Sequence, residues 1–125
     1  MILDTNALSA FAGGDKELLP IIEGEANLAL PVVALGEFLF GIRQSRFRER
    51  YEQWLRENLP LFDLLPIGEE TARRYADICL ELRAAGLPIP SNDVWIAALA
   101  REHRSPLVSR DQHFRAVTGL RLLTW

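Results

Sequence analysis

Apolar residues in this chain fall into short runs separated by longer stretches with helical spacing. Met1–Asp4, Asn27–Leu30, Phe62–Ile67, Leu107–Ser109 and Leu120–Thr124 read as five short strands. Between them, Asn6–Phe11 predicts a short helix closed by Gly13-Gly14, and Asp15–Glu23 a second with Asp15 as its N-cap. Pro31 suits the first turn of a helix running to about Gln44. From Arg46 to Leu59 the residues Phe47, Tyr51, Trp54 and Leu55 recur at i, i+4, i+7 and i+8, which predicts an amphipathic helix. Glu69–Ala85 predicts a long helix with an inner stripe of Ala72, Tyr75, Ala76, Cys79 and Leu82, stopped by Gly86. After the stiff Leu87-Pro88-Ile89-Pro90 segment, Ser91 or Asn92 caps a helix that continues to about His103. Strands alternating with helices predict an α/β fold, a parallel sheet with helices on both faces. The length is that of one domain, residues 1–125.

Four acids stand out against this pattern. Asp4 ends the first strand, and Glu37 interrupts the apolar run from Val32 to Phe40. Asp93 begins the run Val94–Ala100, and Asp111 follows Leu107-Val108-Ser109. Glu37 resists a surface reading most strongly, because its helical neighbours are Val33, Ala34, Phe40 and Gly41. Taken singly, the others have ordinary readings: Asp93 as a helix cap, Asp4 and Asp111 as turn residues. Parallel sheets bind ligands beyond the C-terminal ends of their strands. The predicted topology sends all four acids toward that one rim. Carboxylates gathered there suit a hard cation such as Mg²⁺ or Mn²⁺, which can serve phosphoryl transfer. Thr5, Asn6, Asn92 and Ser109 are short polar neighbours able to orient a carboxylate or a metal-bound water.

Composition narrows the choice. The net charge is -3, but setting the four acids aside leaves +1. Lys16 is the only lysine, and five of the thirteen arginines lie between Arg43 and Arg56, either a solvated helix face or a phosphate-contacting patch. Arg43, Arg46 and Arg110 are candidate contacts for the phosphates of a nucleic acid. Cys79 alone can form no internal disulfide, which fits a reducing cytosol, and no apolar run reaches the length of a membrane span. No signal peptide is expected, because no basic region precedes the first apolar residues and Asp4 follows at once. A zinc site is disfavoured, since Cys79, His103 and His113 have no ligand spacing. There is no Gly-x-Ser-x-Gly elbow, Walker motif or dinucleotide fingerprint. His103, His113, Trp54, Trp95 and Trp125 read as core or surface residues.

Asp4-Thr5-Asn6, Gly36-Glu37-Phe38-Leu39-Phe40-Gly41, Asn92-Asp93 before Ile96-Ala97-Ala98, and Ser109-Arg110-Asp111 before Phe114 resemble the PIN-domain ribonucleases. Size and layout are most similar to the VapC toxins of type II toxin–antitoxin pairs, and the resemblance spans essentially the whole chain. It implies a three-layer α/β/α fold with sheet order 3-2-1-4-5. It further implies Mg²⁺- or Mn²⁺-dependent endoribonuclease activity on structured RNA such as tRNA or rRNA, leaving 5′-phosphate and 3′-hydroxyl ends. A homodimer, a cognate antitoxin and a cytoplasmic location are implied as well. On this resemblance Asp4, Glu37, Asp93 and Asp111 form the catalytic and metal-binding quartet, with Thr5 or Asn6 and Ser109 as accessory positions. Ser109 stands where Thr is common in the family, and the hydroxyl is kept. Alternatives are a PIN nuclease of RNA maturation, or a Mg²⁺-dependent phosphatase or phospho-acceptor domain. The latter pair usually needs a late lysine, which this chain lacks. Leu8, Phe11 and Phe40 are candidate dimer contacts.

Overall fold

Ile2 and Leu3, both fully buried, form β1, the middle strand of the sheet. The computed structural model describes residues 1–125. β2 (Leu28–Pro31) and β4 (Leu107–Val108) flank β1; β3 (Phe62–Leu65) and β5 (Leu122–Leu123) form the edges. The order is β3-β2-β1-β4-β5, and every pairing is parallel. Ile2 is in register with Ala29 on one side and Leu107 on the other. A strand buried on both faces must be apolar throughout, and Ile2, Leu3, Leu107 and Val108 meet that demand.

The helices are α1 (Thr5–Ala12), α2 (Leu19–Glu23), α3 (Val32–Arg43), α4 (Arg48–Asn58), α5 (Glu69–Ala85) and α6 (Ser91–Glu102). They cover both sheet faces in a three-layer α/β/α arrangement. α1, α3 and α4 pack together around the rings of Phe11, Phe38 and Trp54, with Phe11 meeting Trp54 edge-on at 5.5 Å between centroids. α5 and α6 form the most extensive helix pair, with Tyr75 stacked on Trp95. α6 is buried almost all round, from Val94 through Ala100 except for a half-buried Trp95. A helix apolar on every side belongs in a core.

Several local details differ from the sequence pattern. The second helix begins at Leu19 rather than Asp15, because Asp15 Oδ1 instead accepts from the backbone N–H groups of Glu17 and Leu18 in a turn. Pro90, not Ser91 or Asn92, occupies the N-cap of α6, and no side chain caps that helix. The inner stripe of α5 is rotated: Thr71, Ile78 and Leu82 are buried, whereas Ala72 and Ala76 are exposed. Thr71 is tolerated inside because its hydroxyl donates to Glu102 and accepts from the Gly68 N–H. Phe47 is exposed beneath the Arg46 guanidinium, ahead of α4 rather than on its buried stripe. Leu8 is fully buried and Phe11 packs on the core, so of the three candidate dimer contacts only Phe40 is exposed.

Candidate metal centre

The site forms where β1, β4, α3 and α6 present their ends or first two turns to one rim. Asp4 follows β1 directly and is the residue that precedes α1, so the strand fixes its backbone while the helix begins beyond it. Its carboxylate is only 4% exposed. The Ser109 hydroxyl, just past β4, donates to Asp4 Oδ2 at 2.7 Å. Two residues separated by almost the whole chain thus meet because their strands are neighbours.

Ser109 does more than hold Asp4. Its oxygen accepts the backbone N–H of Asp111 at 2.9 Å, which turns the chain so that Asp111 faces the same rim. Asn6 Oδ1 accepts the Arg110 N–H at 3.2 Å and lies 3.3 Å from the Ser109 hydroxyl. With one proton to give, Ser109 bonds the nearer and charged Asp4 better. Thr5 Oγ1 donates to Glu37 Oε1 at 2.9 Å, which ties the second turn of α3 to the first turn of α1. Asp93, 8% exposed in the first turn of α6, turns inward, while Asn92 beside it is exposed and makes no side-chain hydrogen bond.

His113 is the residue that sequence reasoning missed. Its Nδ1 lies 3.0 Å from Asp93 Oδ2 and 3.0 Å from Asp111 Oδ1, bridging the two acids. The backbone N–H of His113 also donates to Asp111 Oδ1. The 3-10 turn Gln112–Ala116 is what places the imidazole there. Asp-x-His at i, i+2 was the available signal. It carries no helical or zinc-type spacing, so it reads as surface.

Burial holds the Asp4 carboxyl above the ordinary aspartate range; the Ser109 and Thr5 hydrogen bonds oppose this, and Glu37 and Asp111 add to it. Asp93 is pushed up to about 6, chiefly by burial, with the His113 hydrogen bond opposing and the charges of Asp111 and Asp4 adding. The same hydrogen bond to Asp93 raises His113. These mutual effects mark one electrostatic cluster, and neither Asp4 nor Glu37 has a basic side chain in ion-pair range.

The donor set fits a hard divalent cation. Asp93, Asp111 and His113 offer ligand atoms within 4.8 Å of one another. Asp4 adds a buried oxygen whose only side-chain partner is a serine hydroxyl. Carboxylate oxygens with one imidazole suit Mg²⁺ or Mn²⁺ better than a thiophilic ion.

A pH dependence of stability follows for the metal-free protein. Asp4 and Asp93 have folded-state pKa values above their unfolded ones, so their ionisation costs stability as pH rises, for Asp93 from about 4 through about 6. His113, raised in the fold, contributes stability at low pH that is lost on the way up. Asp15 and Glu81 are lowered in the fold, and their contribution is lost only toward pH 4 and below. In chelator, the melting temperature should therefore be higher near pH 5 than near pH 7.5, with Asp93 contributing about 1 kcal/mol. A melting temperature that falls steadily across that interval on acidification would contradict the electrostatic picture.

Of the candidate RNA contacts, Arg110 is already engaged. Its Nε donates to the Trp125 carbonyl, its guanidinium stacks 4.5 Å from the Trp125 ring, and Asp15 and Glu17 lie at 3.7 and 3.5 Å. Arg43, in the last turn of α3, and Arg46 are exposed.

Comparison with known proteins adds four findings. The sequence matches the PIN domain family over residues 1–120. Ribonuclease VapC5 of Mycobacterium tuberculosis is 29% identical over 94% of this chain and 87% of its own length. Ribonuclease VapC4 of the same organism is 33% identical over 74% of this chain and 73% of its own. Among solved structures, VapBC2 from Rickettsia felis, bound to a promoter DNA fragment, superposes with a TM-score of 0.90 at 23% identity. That likeness of fold covers 99% of this chain and 97% of that one.

Proposed function

Because this chain belongs to the PIN-domain family, on its VapC branch, we propose that it is an endoribonuclease toxin that requires Mg²⁺ or Mn²⁺ and hydrolyses phosphodiester bonds in structured RNA. The observation that carries the reading is the convergence of Asp4, Glu37, Asp93 and Asp111, from four separate segments, on one rim of a parallel sheet. The whole chain acts as one PIN domain. Its partners are the RNA substrate and a cognate antitoxin, it works as a homodimer, and its place is the cytoplasm. The solved VapBC complexes support the antitoxin, and no helix is long and apolar enough to cross a membrane.

Asp4 and Asp93 would be the central metal ligands, with Glu37 and Asp111 completing the set directly or through water, and His113 within reach. A divalent ion held there supplies a low-pKa water and charge to steady the leaving oxygen. The chain's own part is to fix that arrangement. Ser109 holds Asp4 and turns Asp111 inward, Thr5 holds Glu37, and His113 bridges Asp93 and Asp111. Burial of Asp4 and Asp93 strengthens each charge interaction by excluding water. Carboxylate ligands must lose their protons to bind a cation, so metal affinity should fall as pH drops below about 6.

The test uses purified protein stripped with chelator, a folded tRNA and end-sequencing of the products. Mg²⁺ or Mn²⁺ should restore endonucleolytic cuts carrying 5′-phosphate ends and raise the melting temperature together. Cleavage that persists undiminished in chelator would sink the metal requirement, and no cleavage of any folded RNA with either ion would sink the nuclease reading. Thr5→Val should lower activity about tenfold with little change in stability, because only the hydrogen bond that orients Glu37 is lost. Wild-type kinetics in that variant would remove Thr5 from the positioning set.

A further inference from the structure

At the opposite end of the strands from the acids lies a cleft of about 420 Å³. It opens between the C-terminal end of α6 and the residues that lead into β4 and β5. Asp93 and Arg104 are eleven residues apart across α6, so this cleft sits roughly 16 Å from the candidate metal centre along the helix. Arg74, Arg101, Arg104 and Arg121 line it, and no carboxylate does.

The four guanidinium groups are not equally committed. Arg101 donates twice to Glu81 and once to the Thr118 carbonyl, so it is held in place. Arg74 Nε lies 2.9 Å from Glu70 Oε1 but out of line for a hydrogen bond, which leaves a buried N–H unsatisfied. Arg104 and Arg121 have no side-chain hydrogen bond and no acidic partner. Two unpaired arginines, braced by two others, leave a concave site of net positive charge.

Backbone conformation singles out Arg104. It lies two residues past the end of α6 with φ of 50°, the one non-glycine residue in the left-handed region. The Ser105 N–H donates to the Ala100 carbonyl and the Arg104 N–H to the Arg101 carbonyl, the hydrogen bonds of a helix end that glycine usually closes. An arginine there is strained, and strain of this kind collects at functional positions.

We propose that this cleft is a second phosphate-binding site that docks the RNA backbone away from the bond being cut. The inference rests on the ribonuclease reading above. Planar guanidinium forks match phosphate oxygens bidentately. No aromatic ring lines the cleft, so it offers bases nothing to stack on and reads backbone rather than sequence. Such a site serves an RNA whose fold carries phosphates to both ends of the sheet, and it is beyond the reach of a short single strand seated at the acids.

The experiment compares a folded tRNA with a short single-stranded oligonucleotide spanning the same cleavage sequence. Cleavage of either RNA by the wild-type protein establishes the ribonuclease reading independently; absence of both would overturn that reading whatever the arginines do. In Arg104→Ala/Arg121→Ala, KM for the tRNA should rise about tenfold, while its kcat and the constants for the oligonucleotide hold. The slope of log affinity against log salt for the tRNA should shrink by about 1.5, the share of two phosphate contacts. Arg104→Gly supplies the second variant. It relieves the left-handed backbone, so its melting temperature should equal or exceed the wild type while tRNA affinity still falls. Unchanged tRNA affinity and salt slope in both variants would overturn the proposal, including the case in which the arginines serve an acidic protein partner instead. An equal loss on tRNA and oligonucleotide would overturn it as well.

Discussion

Asp4→Asn is expected to reduce kcat/KM for RNA by about a thousandfold or more while the protein remains folded. The amide keeps the shape and can still accept the Ser109 hydroxyl, so packing around β1 is retained. What it removes is the most buried negative charge of the cluster. The same change should make the metal-free protein more stable, because the carboxyl it replaces is held above its ordinary pKa by burial. Loss of activity together with a raised melting temperature in chelator is a combination that misfolding cannot produce. Activity within a few-fold of wild type in saturating Mg²⁺ would falsify the assignment of Asp4.

Phe114→Ala should lower stability by about 3–5 kcal/mol, a large part of the total for a domain of this size. Phe114 is 1% exposed and is the buried anchor of the 3-10 turn that carries His113 and follows Asp111. Without it the turn loses its grip on the core, and the two polar groups before it lose their fixed direction. Phe114→Leu keeps most of the apolar volume and should cost about 1.5 kcal/mol or less. Denaturant unfolding of both variants separates the effects. If the alanine variant unfolds with the wild-type midpoint, the turn is held by something other than this ring.

The main architecture was legible because its signals are strong and local. Short apolar runs such as Ile2-Leu3 and Leu107-Val108 cannot be half-exposed strands, and their alternation with helices leaves little choice but a parallel sheet. Asp4, Glu37, Asp93 and Asp111 were visible because acids beside such runs need a partner. What escaped depends on contacts that one-dimensional spacing does not carry. Thr71 counts as polar in any pattern, yet it is buried because Glu102, on another helix, accepts its proton. His113 looks like a surface residue until the 3-10 turn and α6 bring Asp111 and Asp93 to its ring. The Arg104 cleft is invisible for the same reason: its four arginines come from α5, the end of α6 and the approach to β5. Asp15 shows the opposite error, a strong helix-cap signal spent on a turn.

The pairing of β1 with β4 joins Ile2 to Leu107, and the Ser109–Asp4 hydrogen bond closes the same long span. Contacts so distant in sequence are slow to form, since most of the chain must be ordered before they are rewarded. The cutting centre therefore exists only once β4 has joined β1. A chain truncated before β4 holds Asp4, Glu37 and Asp93 but lacks Ser109 and Asp111, so it is expected to leave RNA uncut.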